Sequence, residues 1–159
     1  MESLPLDLRR KIALDLSPKE LIELCLSSKE VFYKGICQDN EFWRLKIEYD
    51  YPEVIEYFRK NNLILRNPKN TYIRVFSKIS EIVEKKSKNK EGLYEFLFST
   101  YNIMRKKAPY KNFDDFSKTF EKLLEKDGRF LKNKEYVKTL IWEIFIESPL
   151  HKSYGANFL

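Results

Sequence analysis

The sequence predicts an all-α protein: an N-terminal module of three or four short helices followed by a helical bundle. Three observations predict it. Apolar residues recur at i, i+3, i+4 and i+7 along most of the chain, the period of a helix with one buried face. Only 4 Gly and 6 Pro occur in 159 residues, too few turn formers for a sandwich or barrel of many short strands. Most of those few fall where helical stripes start or stop, as at Ser17-Pro18, Ala108-Pro109 and Asp127-Gly128. Hydrophobic residues make up 43% of the chain, with 12 Phe, 10 Tyr and 2 Trp, which is enough to build a core and excludes a mainly disordered chain.

The first helix begins at Leu4-Pro5, because Pro at a first turn forfeits only an N–H that has no helical partner. Leu8, Ile12 and Leu16 then form one stripe. Ser17-Pro18 caps a second helix whose inner face carries Leu21, Leu24 and Cys25. Ser28 is read as a third cap, ahead of Val31, Phe32 and Ile36. Asp39 caps a fourth helix with Phe42, Trp43, Leu45 and Ile47. Helices of about ten residues are marginal alone, so tertiary packing must hold them. Tyr51-Pro52 breaks the pattern. A short helix with Val54, Ile55 and Phe58 follows, then Leu63-Ile64-Leu65 between Asn61-Asn62 and Arg66-Asn67-Pro68, which the pattern leaves ambiguous between extended and other structure.

Four longer stripes complete the chain: Tyr72 to Val83, Leu93 to Met104, Phe113 to Leu124 and Val137 to Phe145. The predicted organisation is a module over 1–51, a basic, aromatic-rich bundle over 52–149 and a non-periodic tail over 150–159. A single core continuous through both is the alternative. No internal repeat of fixed period is present, which disfavours a tandem-repeat platform.

Chemistry is sparse. The sole His, His151, lies in the tail beside Lys152, where solvation explains it better than acid–base work. Asp114-Asp115 suits the first turn of a helix. No G-x-x-x-x-G-K-[ST], G-x-S-x-G or H-E-x-x-H is present, so neither an enzyme nor a cofactor is expected. Cys25 and Cys37 read as reduced, buried thiols of an intracellular chain, with a metal or redox role as the alternative. The start lacks the basic and apolar regions of a signal peptide, and no run of about 18 apolar residues exists. No membrane partner is therefore expected.

The net charge of +6 is uneven, with −1 over residues 1–66 and +7 over 67–159. Lys85, Lys86, Lys88 and Lys90 form one basic cluster, and Arg105, Lys106, Lys107 and Lys111 another. Both fall at helix C-termini, where cations complement exposed carbonyls. The same clusters permit a nucleic-acid partner through phosphate contacts, and nuclear entry. Aromatic residues left uncovered on the second bundle would favour a homodimer.

The N-terminal stripe resembles the F-box, the helical module that docks on the adaptor subunit of cullin–RING ubiquitin ligases. The resemblance covers residues 4–47. It rests on Leu4-Pro5, on Leu8, Ile12 and Leu16, and on Ser17-Pro18-Lys19-Glu20-Leu21. It continues through Leu24-Cys25-Leu26, Lys29 to Phe32, and Phe42-Trp43-Arg44-Leu45. The stretch from Trp43 to Asp50-Tyr51-Pro52 is similar to F-box-like proteins of large DNA viruses that infect amoebae. The resemblance implies a non-enzymatic adaptor for host protein, placed in the host cytoplasm or nucleus. It implies that Leu4, Pro5, Leu8 and Ile12 meet the ligase adaptor and that Trp43 closes the module. Trp43 is counted with these partner residues by the resemblance, whereas the residues themselves favour this protein's own core for Phe42 and Trp43. Residues 53–159 lack the leucine-rich, propeller or ankyrin patterns with which family members hold substrates.

Overall fold

Ser17 shows how local sequence sets the elements. Its hydroxyl accepts from the Glu20 N–H, and the Glu20 carboxylate accepts from the Ser17 N–H, both at 3.2 Å. This reciprocal capping box starts α2. The computed structural model describes residues 5–27, 34–88, 90, 92–127 and 133–150. Among them it forms nine helices and no strand. The helices are α1 (Leu6–Asp15), α2 (Pro18–Leu26), α3 (Lys34–Cys37), α4 (Asn40–Asp50) and α5 (Pro52–Lys60). They continue with α6 (Pro68–Ser87), α7 (Leu93–Lys106), α8 (Phe113–Asp127) and α9 (Lys134–Glu147). The all-α expectation holds. None of these helices is long and apolar enough to cross a membrane.

The described residues up to Phe76 form one compact unit and those from Ser77 a second. The division lies within α6, not at Tyr51-Pro52, where the sequence breaks. The physical reason is that α5 packs on α4, and that Tyr72 joins the same aromatic group as Tyr51 and Trp43. Proline stops a helix, but it does not end a core.

In the first unit, α4 packs against α1, α3 and α5. Its buried positions are Phe42, Trp43, Lys46 and Ile47, the face repeating at i, i+1, i+4, i+5. The buried lysine is the anomaly. Its side chain is 0% exposed. Nζ donates to the carbonyls of Leu14 and Leu16, each at 2.6 Å, and pairs with Asp50 at 3.0 Å. Asp50 in turn accepts from the Tyr72 hydroxyl at 2.6 Å. Lys46 thus closes the C-terminal end of α1, whose last carbonyls have no helical partner.

The second unit comprises the remainder of α6 with α7, α8 and α9. Here α9 packs on α7 and α8. Phe113 lies against Trp142, and Lys138 reaches Ser117 and Glu121, so α8 and α9 run antiparallel. Phe116 is the aromatic hub, with ring centroids 5.1 Å from Tyr110, 5.0 Å from Trp142 and 6.4 Å from both Phe120 and Phe145. Leu150 is buried, while the rest of the expected tail lies outside the described residues.

The expectation of two reduced thiols is corrected. Cys25 and Cys37 form a disulfide with their Cα atoms 5.5 Å apart. That separation suits the bond, and the meeting of α2 with α3 that produces it is tertiary, so chain spacing alone does not reveal it. The Ser28 cap and the Val31 and Phe32 positions lie outside the described residues.

Lys46→Met is expected to lower the unfolding free energy by roughly 3 kcal/mol in urea titration, because Asp50 and two carbonyls lose their cation together. A loss under about 1 kcal/mol would contradict this assignment. Cys25→Ala is expected to cost roughly 3 kcal/mol under oxidising conditions, the loop-closure value for a short loop, and to cost far less in excess reductant.

Candidate protein-interaction surface

Pro5 occupies the N-cap of α1, and its carbonyl accepts from Leu8 N and Arg9 N, both at 3.1 Å. Leu8 and Ile12 follow Pro5 at i+3 and i+7 and so share one helical face. That face is turned to solvent. Pro5 is exposed, Leu8 is 45% exposed and Ile12 is 41% exposed. Leu6 and Leu26 are exposed as well. The residue that α1 buries completely is Ala13, and α1 packs on α4.

Polar attachments hold α1 in this orientation, among them the Tyr49 hydroxyl, which donates to Asp15 Oδ1 at 3.2 Å, and two that are more enclosed. One is Lys46 at its C-terminal end. The other is Arg10, whose Nη2 donates to Asp39 Oδ2 at 2.7 Å. The second carboxylate oxygen of Asp39 accepts from the Glu41 N–H at 3.0 Å and so caps α4, as its position in the sequence predicts. One aspartate therefore starts α4 and pins α1. Burial pushes the Lys46 ammonium below the ordinary lysine range, opposed by Asp50. Burial beside Asp50 pushes the Tyr72 phenol far above its ordinary value, so it remains a donor to that carboxylate.

The sequence-predicted partner residues separate into three groups. Pro5, Leu8 and Ile12 come together on the exposed face. Leu4 lies outside the described residues. Trp43 is corrected as a contact residue: it is 0% exposed, donates Nε1–H to the Cys37 carbonyl at 2.8 Å, and packs against Phe42 and Tyr72. A fully enclosed indole offers no surface to a partner.

The basic residues separate similarly. Lys85, Lys88, Lys106 and Lys107 are exposed. Lys85 forms a loose i,i+4 pair with Glu81 at 3.6 Å. Lys88 adopts a positive φ of 51° just after α6. Arg105 is corrected, because it is buried within the second unit and cannot reach a phosphate. Lys86 is committed internally: its Nζ pairs with Glu143 at 3.0 Å and Glu147 at 3.3 Å. The Glu143 hydrogen bond, with Glu147 behind it, raises the Lys86 ammonium above the ordinary lysine value despite some burial. No group of three or more His, Cys, Asp or Glu able to hold a metal ion occurs among the described residues. His151 lies outside them.

No protein-family model, no curated protein and no solved structure matches this chain.

Lys46 is not evident from motifs, yet the sequence does carry a signal for it. Its spacing from Phe42 and Trp43 places it on their face, where a lysine must find a buried partner. The exposure of the α1 stripe carries no such signal, because an apolar stripe reads the same whether it faces a core or a partner.

Lys86→Glu is expected to lower stability by about 1 kcal/mol or more, since it sets a third carboxylate beside Glu143 and Glu147. Lys106→Glu is expected to stay within about 0.5 kcal/mol. The Lys86 pairing stabilises fully below the ordinary lysine pKa and is lost as pH rises through its raised folded value. Chemical denaturation of Lys86→Met and wild type at neutral and strongly alkaline pH checks this, with the difference shrinking at the higher pH.

Proposed function

We propose that this chain is a non-enzymatic protein-interaction adaptor with an F-box-like N-terminal module, which engages the adaptor subunit of a cullin–RING ubiquitin ligase in a host cell. The observation that carries this reading is the stripe of Pro5, Leu8 and Ile12, exposed on one face of a helix whose orientation is fixed by Lys46 and Arg10. Exposed apolar side chains at this spacing suit a hydrophobic groove on a helical partner. Trp43 contributes by filling the core behind the module, not by contact. The second unit, with its aromatic core, is the segment left to hold a target protein. The nucleic-acid reading weakens, because two of its proposed contacts, Lys86 and Arg105, are engaged inside the second unit.

The test is binding of the purified full chain to purified ligase adaptor by calorimetry. Leu8→Asp with Ile12→Asp is expected to weaken the complex at least about 100-fold, since two apolar contacts are each replaced by a desolvated charge. Helicity should be retained and the melting temperature should fall only modestly, because both side chains are more than two-fifths exposed in the free protein and Asp is only a slightly poorer helix former. Equal affinity for wild type and variant would refute the assignment of this face, and no complex at all would refute the ligase partner.

A further inference from the structure

The connection from α5 to α6 combines two properties that local folding alone does not require. The first is its shape. α5 ends in a Schellman motif: Leu63 N donates to the Phe58 carbonyl at 2.8 Å and Asn62 N to the Arg59 carbonyl at 3.2 Å. Asn62 supplies the left-handed residue that this motif needs, with φ 53°. The chain beyond it has no helical or strand structure until α6 starts at Pro68. Ile64 at this turn is 73% exposed, and Leu63 is exposed beside it. A single exposed Leu needs no explanation. Two adjacent large aliphatic residues, held outward by a stop motif, form a built apolar tip.

The second property is charge. No Asp or Glu occurs between Glu56 and Glu81. The tip is bracketed by Arg59 and Lys60 at the end of α5 and by Arg66 just after it, all exposed, with Lys69 following in the first turn of α6. This acid-free stretch lies in a segment, residues 1–66 and a little beyond, whose overall charge is otherwise balanced. The surface is therefore an aliphatic tip in a cationic rim.

We propose that this tip is a peripheral docking site for an anionic lipid surface, with Leu63 and Ile64 entering the headgroup–acyl boundary and Arg59, Lys60 and Arg66 contacting acidic headgroups. Charge complementarity selects the partner, and the aliphatic tip selects lipid over a polyphosphate chain. A nucleic-acid backbone would use the cations and leave Leu63 and Ile64 in water, because single strands are gripped by aromatic stacking, not by aliphatic groups. A bilayer uses both, and weak apolar insertion combined with a polybasic rim is the pairing that yields stable but reversible attachment. The attachment is to the surface alone, since no described helix is long and apolar enough to cross a membrane; it departs from the expectation of no membrane partner, which rested on the lack of a spanning segment. This site is independent of the α1 face.

The test is co-sedimentation of the full chain with vesicles of phosphatidylcholine alone and of phosphatidylcholine with about 30% phosphatidylserine. Binding is expected only to the anionic vesicles and should fall steeply with salt. Leu63→Ser with Ile64→Ser should weaken partitioning by about tenfold or more. Arg59→Gln with Lys60→Gln and Arg66→Gln should weaken it by about fivefold per charge. Both variants alter exposed side chains, and retained melting temperature verifies their fold. Absence of binding to anionic vesicles overturns the proposal. Binding that the Leu63→Ser/Ile64→Ser variant leaves unchanged also overturns it, since charge alone would then suffice. A polyuridylate complex tighter than the vesicle complex, and insensitive to the aliphatic change, overturns it in favour of nucleic acid.

Discussion

A single ammonium group governs the first unit. Lys46 Nζ is enclosed between the end of α1 and the side of α4, where it serves two carbonyls and one carboxylate. A lone buried cation would cost several kcal/mol. Here each of its donors has an oxygen, and Asp50 is itself fixed by Tyr72 on α6. The arrangement ties α1, α4 and the start of α6 through directional bonds, which demand one geometry where aliphatic packing would tolerate several. It also explains why α4, not a longer helix, organises this unit.

The consequence for function is in what α1 no longer has to do. A helix of ten residues normally depends on burying its apolar stripe. With one end closed by Lys46 and its middle pinned by Arg10 to Asp39, α1 is held by its polar contacts and by Ala13. Leu8 and Ile12 are left free to meet another molecule. The disulfide between Cys25 and Cys37 joins α2 to α3 on the same unit and limits how far its parts can separate.

The second unit is built on the opposite principle. Its centre is a group of rings around Phe116, with the Tyr110 hydroxyl turned to the Met104 carbonyl at 2.6 Å. Its cations are used for internal joins. Lys86 joins α6 to α9, and Lys138 joins α9 to α8 through Glu121. Glu121 is held below the usual carboxylate range chiefly by Lys134 and then by Lys138. Clusters of Lys in a basic half-chain are thus partly framework. The cations free to act on a partner are fewer than composition implies.

By itself the sequence determined most of the helices and several of their starts, because these are local. The Ser17–Glu20 capping box, the Asp39 cap, the Pro residues at first turns and the 3.6-residue stripes act within a few residues of one another. It also determined that Pro5, Leu8 and Ile12 belong together, since helical spacing alone aligns them. Whether that stripe faced inward or outward was decided only by tertiary structure, through Ala13 and Lys46. The same holds for the enclosure of Trp43 and Arg105, for the pairing of Cys25 with Cys37, and for a division inside α6 instead of at Pro52. Each depends on which distant element arrives opposite a given face, and a side chain carries no record of that in its neighbours along the chain.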